Sequence, residues 1–263
     1  MNKIALICLI RDPKGTFITP IKEHSYRLIE IYPETTIIAS QDTSPDTIRA
    51  LRENGCQVKT QSGKGVGEAR RDALRTAIQN KFEYIHLCDL DRALHWTNTY
   101  PAELKHIKNV IPEHDFLILG RTPRAFETHP EPQKMTESLT NQVFSFIYKQ
   151  PIDVNTASRG VSYKAAEVIL RYSHASGFET DVEWPLIIKL KTNLNLGYME
   201  VEGLEYETHI KCPEEIRKAG GLQNWKRMLE RDPNEWLRRV NIARRMIETA
   251  IRTQEKLMSR RAQ

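Results

Sequence analysis

No stretch of the chain approaches the length of about 20 consecutive apolar residues that a membrane-spanning helix needs. The longest apolar run, Ile4 to Ile10, follows Met1-Asn2-Lys3 in the manner of a leader. It meets Arg11-Asp12-Pro13 at once, with no small-residue cleavage site, which predicts a core strand instead. Cysteine is sparse. Cys8, Cys56, Cys88 and Cys212 are scattered, with no CxxC spacing, which argues against a zinc or disulfide framework and suits a reduced, cytoplasmic protein. Neither GxGxxG nor the GK[ST] ending of a P-loop is present, so both common nucleotide-binding loops are excluded. Internal repeats and low-complexity segments are absent. The net charge of +5 raises nucleic acid as a partner, but no helix-turn-helix, zinc-finger, RRM or KH signature accompanies it. The excess of positive charge lies near the C-terminus, which leaves nucleic acid unsupported.

What is present is an alternation of β-branched apolar runs with amphipathic stretches. Strands are predicted at 4–10, 35–40, 57–60, 84–88, 115–119 and 194–202, and helices at 22–32, 47–53, from about 69 to 78, 101–111, 135–149 and 164–172. Such alternation predicts an α/β fold, a mostly parallel Rossmann-like sheet flanked by helices. Residues 120–132 read as a long polar loop, and 153–162, small and polar, as a loop lying against a ligand. Domain organisation is read as 1–212, divided near 120 into a nucleotide half and an acceptor half, followed by a helical tail over 213–263. In the tail Trp236, Val240, Ala243, Ile247 and Ala250 recur at three-four spacing between arginines, the pattern of a basic amphipathic helix. That helix docks on the core, on a second copy in a homodimer, or on an anionic membrane surface.

Ligands of open α/β sheets gather outside the C-terminal ends of the strands. Three features fall at such ends. Tyr84 to Asp91 (YIHLCDLD) carries Asp89 and Asp91 on one face if the strand persists through them. Two adjacent carboxylates repel unless a cation sits between them, and a divalent ion on a diphosphate is one solution; a solvated turn is the other reading. Gly63-Lys64-Gly65-Val66-Gly67 feeds a helix with Arg70 and Arg71 close by, and free backbone amides there can meet an anion; a tight turn with surface arginines is the alternative. Gln41 to Asp46 follows the second strand. Further along, Gly177-Phe178-Glu179-Thr180-Asp181-Val182-Glu183-Trp184 sets three acids within five residues, either a site or a helix cap. His209 stands alone, a structural imidazole or a metal ligand.

The order of these motifs resembles the GT-A family of nucleotide-diphospho-sugar glycosyltransferases over about residues 4–210, and more loosely its glucosyl- or mannosyl-glycerate synthase branch, through Thr136-Glu137, Asn155 to Gly160 and Gly177 to Asp181. The resemblance implies a GT-A-like fold with a C-terminal helical extension. It implies a metal-dependent transfer of a sugar from a nucleotide-diphosphate donor to a small-molecule, glycan or lipid-linked hydroxyl. Asp89, Asp91 and His209 would hold Mn2+ or Mg2+, and Asp42, Lys64, Arg70 and Asp89 would contact the donor. Asp181, with Glu183 as second candidate, would act at the acceptor as general base or orient the sugar. Where the family usually carries an acidic DDGSxD loop this chain reads SQDTSPD, and Asp42, nearest the strand end, takes the base-contacting place. A sugar-nucleotide pyrophosphorylase would carry a Gly-, Arg- and Lys-rich signature after the first strand, which Arg11-Asp12-Pro13-Lys14-Gly15 matches poorly. A non-catalytic nucleotide-sugar-binding protein is the remaining alternative, and donor turnover separates it from an enzyme.

Overall fold

The computed structural model describes residues 3–206 and 213–259. Its centre is a seven-stranded sheet: β1 (Ile4–Ile10), β2 (Thr35–Ala39), β3 (Gln57–Thr60), β4 (Tyr84–Asp89), β5 (Phe116–Arg121), β6 (Arg159–Ser162) and β7 (Leu196–Val201), in the spatial order β3-β2-β1-β4-β6-β5-β7. All neighbouring pairs are parallel except those made by β6, which runs antiparallel to both β4 and β5. The connections are α1 (Ile18–Ile31), α2 (Pro45–Glu53), α3 (Val66–Gln79), α4 (Leu90–Thr99), α5 (Pro101–Val110), α6 (Pro123–Glu127), α7 (Glu131–Tyr148), α8 (Tyr163–Tyr172) and α9 (Thr180–Lys191). The tail adds α10 (Pro213–Lys218), α11 (Leu222–Glu230) and α12 (Pro233–Ser259). None of the helices among the described residues is long and apolar enough to cross a membrane.

Strand side chains alternate faces, and here both faces are apolar because helices cover both. Ala5 and Ile7 of β1, with Ile85 and Leu87 of β4, join α3, α8 and α9 in one core layer. Leu6, Cys8 and Ile10, with Cys88, join α1, α2, α4 and α5 in the other. Strand order runs outward from β1 in both directions, so the switch of connection falls between β1 and β4. A switch point of this kind leaves a crevice outside the C-terminal ends of the two strands.

Three expectations from sequence are corrected. The polar stretch 120–132 is the end of β5 followed by α6 and the first turn of α7. Thr122 caps α6 by accepting from the Ala125 amide, and Pro123 fills the first helical position, where its missing N–H costs nothing. The stretch 153–162 yields β6, buried between β4 and β5. Gly160 is needed there, since a Cβ would lie 2.8 Å from Ile111 Cγ1. In the tail, α12 packs against α7 and α9. Its buried seam is Ala243, Met246, Ala250 and Leu257, whereas Val240, expected in it, is 49% exposed.

Candidate functional site

At the C-terminal ends of β1, β2 and β4 lies a cleft of about 530 Å3. The expected convergence is present: Asp42, Lys64, Asp89 and Asp91 all line it, with Gly63, Gly65 and Val66. Local structure explains each position. β4 stops at Asp89 and the chain turns directly into α4, so Asp91 sits in the first helical turn rather than two residues along a strand. The shared face of Asp89 and Asp91 therefore does not come from strand alternation, as expected. It comes from the strand-to-helix bend, with Leu90 buried behind it. Asp91 is only 6% exposed, and its Oδ1 accepts from the Arg92 amide at 3.0 Å.

The glycine loop is held from below. Gln61 Nε2 donates to the Gly65 carbonyl at 2.7 Å, and Ser62 donates through N and Oγ to Asp72 at 2.7 and 2.9 Å. Gly65 has φ +87°, a left-handed conformation that favours glycine. Its neighbour Val66 opens α3 and lines the cleft with Lys64, while the Gly67 amide is taken up by the Ser176 carbonyl at 3.0 Å. Gly67 serves another need: the segment 173–178 crosses so closely that a Cβ there would lie 2.4 Å from the Ala175 carbonyl oxygen. Backbone cannot yield as a side-chain tip can. Gly67→Ala should therefore cost about 1–3 kcal/mol, the usual range for forced overpacking. Thermal denaturation checks this, and wild-type melting would show that the strap does not press on α3.

Asp42 is not an isolated acid. Arg11, from the end of β1, donates to it through Nε and Nη2 at 2.9 and 2.6 Å, and Ser40 Oγ donates at 2.6 Å. The hydrogen bond from Arg11, then that from Ser40, lowers its pKa. Arg11 and Phe178, both on the cleft wall, went unrecognised in the sequence. Arg11 carried a signal in its place, the first polar residue after a strand of the parallel sheet. Phe178 had one only in its neighbours.

Arg70, Asp181 and Glu183 do not join the cleft lining. Arg70 is 2% exposed and donates through Nη1 to Thr180 Oγ1, while the same nitrogen lies 3.1 Å from Asp181 Oδ1. Arg159 Nη2 reaches that same carboxylate oxygen at 3.2 Å. Burial pushes Arg159 down to about 10, against the pull of Asp181, so it stays cationic at neutral pH. Asp181 thus joins two buried guanidinium groups, one from α3 and one from β6. Glu183 accepts from Ser173 Oγ at 2.6 Å and from the amides of His174 and Ala175 at 2.9 and 3.2 Å. It anchors the strap over α3. Both acids are fixed structural partners in this arrangement, which argues against the general-base place expected of them. His209 lies outside the described residues.

No protein-family model matches the chain, and no curated protein matches it either. Solved structures do. Glucosyl-3-phosphoglycerate synthase from Mycobacterium tuberculosis superposes with a TM-score of 0.52 at 13% identity, covering 76% of this chain and 70% of that one. Its complex with uridine diphosphate gives 0.53 at 11% identity, over 97% and 80%. Its complex with Mn2+ and UDP-glucose gives 0.52 at 13%, over 76% and 69%. The likeness establishes a shared fold: the sheet and its flanking helices have the GT-A architecture of these proteins.

Proposed function

We propose that this chain is a glycosyltransferase that moves a sugar from a nucleoside-diphosphate donor to a hydroxyl acceptor, with Mn2+ or Mg2+ as cofactor. The observation that carries the reading is the meeting of Asp89, Asp91, Lys64 and the α3 N-terminus in one cleft at the β1/β4 switch point. Two stretches distant in sequence answer the needs of a bound diphosphate: Asp89 and Asp91 offer a cation bridge, and Lys64 with the positive end of the α3 dipole offers countercharge. The fold adds support, because structures that share it hold uridine diphosphate or UDP-glucose with Mn2+.

The residues fit a substrate-borne metal better than a protein-built one. Among the described residues no group of three or more His, Cys, Asp or Glu side chains could hold an ion. Magnesium-type ions commonly take one or two carboxylates and complete their shell with phosphate oxygens and water. Asp89 and Asp91 are such a pair, and His209 would be a further ligand. When bound, the ion supplies Lewis-acid neutralisation of the charge that grows on the departing diphosphate. Lys64 shares that load by ion pairing, and the N-terminal end of α3 does so through the positive end of its dipole. Asp42, fixed by Arg11 and Ser40, presents its remaining acceptor capacity to the nucleoside end. Arg70 holds Asp181 instead of touching the donor.

For the acceptor we favour a small soluble hydroxyl compound over a lipid-linked one. Four arginines of α12 face acids: Arg238 and Arg239 pair with Glu235, Arg244 with Glu248 and Arg245 with Glu179. These pairs neutralise part of the basic face that an anionic lipid surface would attract, which favours the soluble acceptor.

Calorimetry of UDP and GDP with and without Mn2+ tests the reading. Wild-type protein should bind one of them at least tenfold more tightly with the metal than with chelator, and Asp91→Ala should lose that gain. Affinity indifferent to chelator, or unchanged in Asp91→Ala, would refute it. Metal-dependent release of sugar from UDP- or GDP-sugars then separates an enzyme from a binding protein.

A further inference from the structure

The strap 173–178 is pinned along its length. Glu183 holds Ser173, His174 and Ala175, as described above. From α3, Arg71 Nη1 donates to the Ala175 carbonyl at 2.7 Å, and the Gly67 amide donates to the Ser176 carbonyl at 3.0 Å. These contacts all lie before Phe178, whose carbonyl accepts from the Asp181 amide at 2.9 Å while the Gly177 carbonyl accepts from Thr180 Oγ1 at 3.1 Å. The next side chain fixed beyond it is Glu179, and its partner comes from the C-terminal helix: Arg245 Nε lies 3.1 Å from Glu179 Oε1. Glu179 is 8% exposed, and its Oε2 has no hydrogen-bond partner among the described residues. A carboxylate so buried depends on its one cation. Phe178, between the pinned strap and this ion pair, is 38% exposed and forms cleft wall. On the other side of Glu179 stand Thr180 and Asp181, which hold Arg70 and Arg159.

We propose that the C-terminal helix is a working part of the donor cleft: Arg245, through Glu179, is a positioning residue that sets Phe178 against the bound nucleoside diphosphate. The proposal rests on the nucleotide reading of the cleft. It assigns α12 a role that packing alone does not require. The seam of Ala243, Met246, Ala250 and Leu257 already docks the helix, and Arg245 lies off that seam with half of its side chain in solvent. Its neighbour Arg244 faces Glu248 on the exposed side and provides an internal control.

The test uses the full chain and measures binding of UDP with Mn2+, or of GDP if that is the nucleotide bound, by calorimetry beside thermal melting. Arg245→Ala should weaken binding about tenfold, Phe178→Ala should weaken it similarly, and the double variant should be no weaker than Phe178→Ala alone. Arg245→Lys should restore most of the loss, and Arg244→Ala should bind as wild type. Should Arg245→Ala fold poorly, Glu179→Gln removes the buried charge while keeping its shape. It should give the same loss, again without adding to that of Phe178→Ala. Wild-type affinity in the folded Arg245→Ala or Glu179→Gln protein, or losses that add to that of Phe178→Ala, would overturn the proposal. Absence of nucleotide binding in the wild type would instead overturn the functional reading beneath it.

Discussion

Asp181→Ala should lower stability by about 3–5 kcal/mol, because removing one partner of a buried ion pair leaves the other charge uncompensated. Here it leaves two. Arg70 and Arg159 are each 2% exposed, and both direct a nitrogen at Asp181 Oδ1. Arg159 retains the carbonyls of Val154 and Ser158 and the Thr156 hydroxyl, at 2.6, 2.6 and 2.7 Å. Arg70 retains Thr180, while its Nη2 already lacks a partner among the described residues. Relaxation should therefore begin at Arg70, on α3, the helix whose first turn faces the cleft. For a chain of this size the loss corresponds to a fall of roughly 6–20 °C in melting temperature. Asp181→Asn, which keeps the shape and one acceptor oxygen, should lose less. Both variants should also bind nucleotide more weakly, since the α3 N-terminus loses its brace. The general-base role expected from the sequence makes the opposite forecast: Asp181→Asn would keep its melting temperature and nucleotide affinity and lose only turnover. Melting and calorimetry on the same two variants decide between brace and base.

The parts of the fold that were legible share one physical property, burial on both faces of a parallel sheet. β1, β2 and β4 are uninterrupted or nearly uninterrupted apolar runs, and their ends fall within a residue of where composition places them, as do those of the short, partly exposed edge strand β3. β6 obeys a different constraint. Its Arg-Gly-Val-Ser sequence is buried because Gly160 admits Ile111 and because Asp181, 22 residues on in α9, neutralises Arg159. Neither partner is visible in a local window. The lining of the cleft was legible where strand ends define it, at Asp42, Lys64, Asp89 and Asp91. It was not legible where acids cluster. Glu179, Asp181 and Glu183 suggest chemistry by their density, yet each answers a specific donor: Arg245, two buried arginines, and the amides of the strap. Density of charge records a demand for pairing, and only the fold says whether a substrate or the protein meets it.

Acid should weaken this protein well before its carboxylates titrate, because three histidines are buried in forms that resist protonation. His86 is sealed in the sheet between the Tyr32 hydroxyl at 3.0 Å and Ser158 Oγ at 2.9 Å, with the Trp96 ring edge-on at 5.7 Å. Burial lowers its pKa to about 3. Burial also lowers His95, against the opposing pull of Glu205, and His129, where Arg121 and Arg92 add to the effect. The sign follows from linkage. Above about pH 6.5 the histidines are neutral in folded and unfolded chains alike, and stability does not depend on them. Below it the unfolded chain takes up protons that the folded chain refuses, so stability falls with pH until the folded pKa is reached, near 3 for His86. A fully buried neutral histidine contributes a slope of about 1.4 kcal/mol per pH unit in that window. His86 alone should thus remove about 2 kcal/mol between pH 6.5 and 5, with His95 and His129 steepening the loss. Urea denaturation at pH 7.5, 6 and 5 measures it. His86→Gln, whatever it does to stability at pH 7.5, should reduce the proton uptake on unfolding near pH 5 by about one. Stability that stays flat from pH 7.5 to 5, or an uptake unchanged in that variant, would mean that His86 is protonated within the folded sheet and that its two hydroxyl partners have rearranged to accept from it.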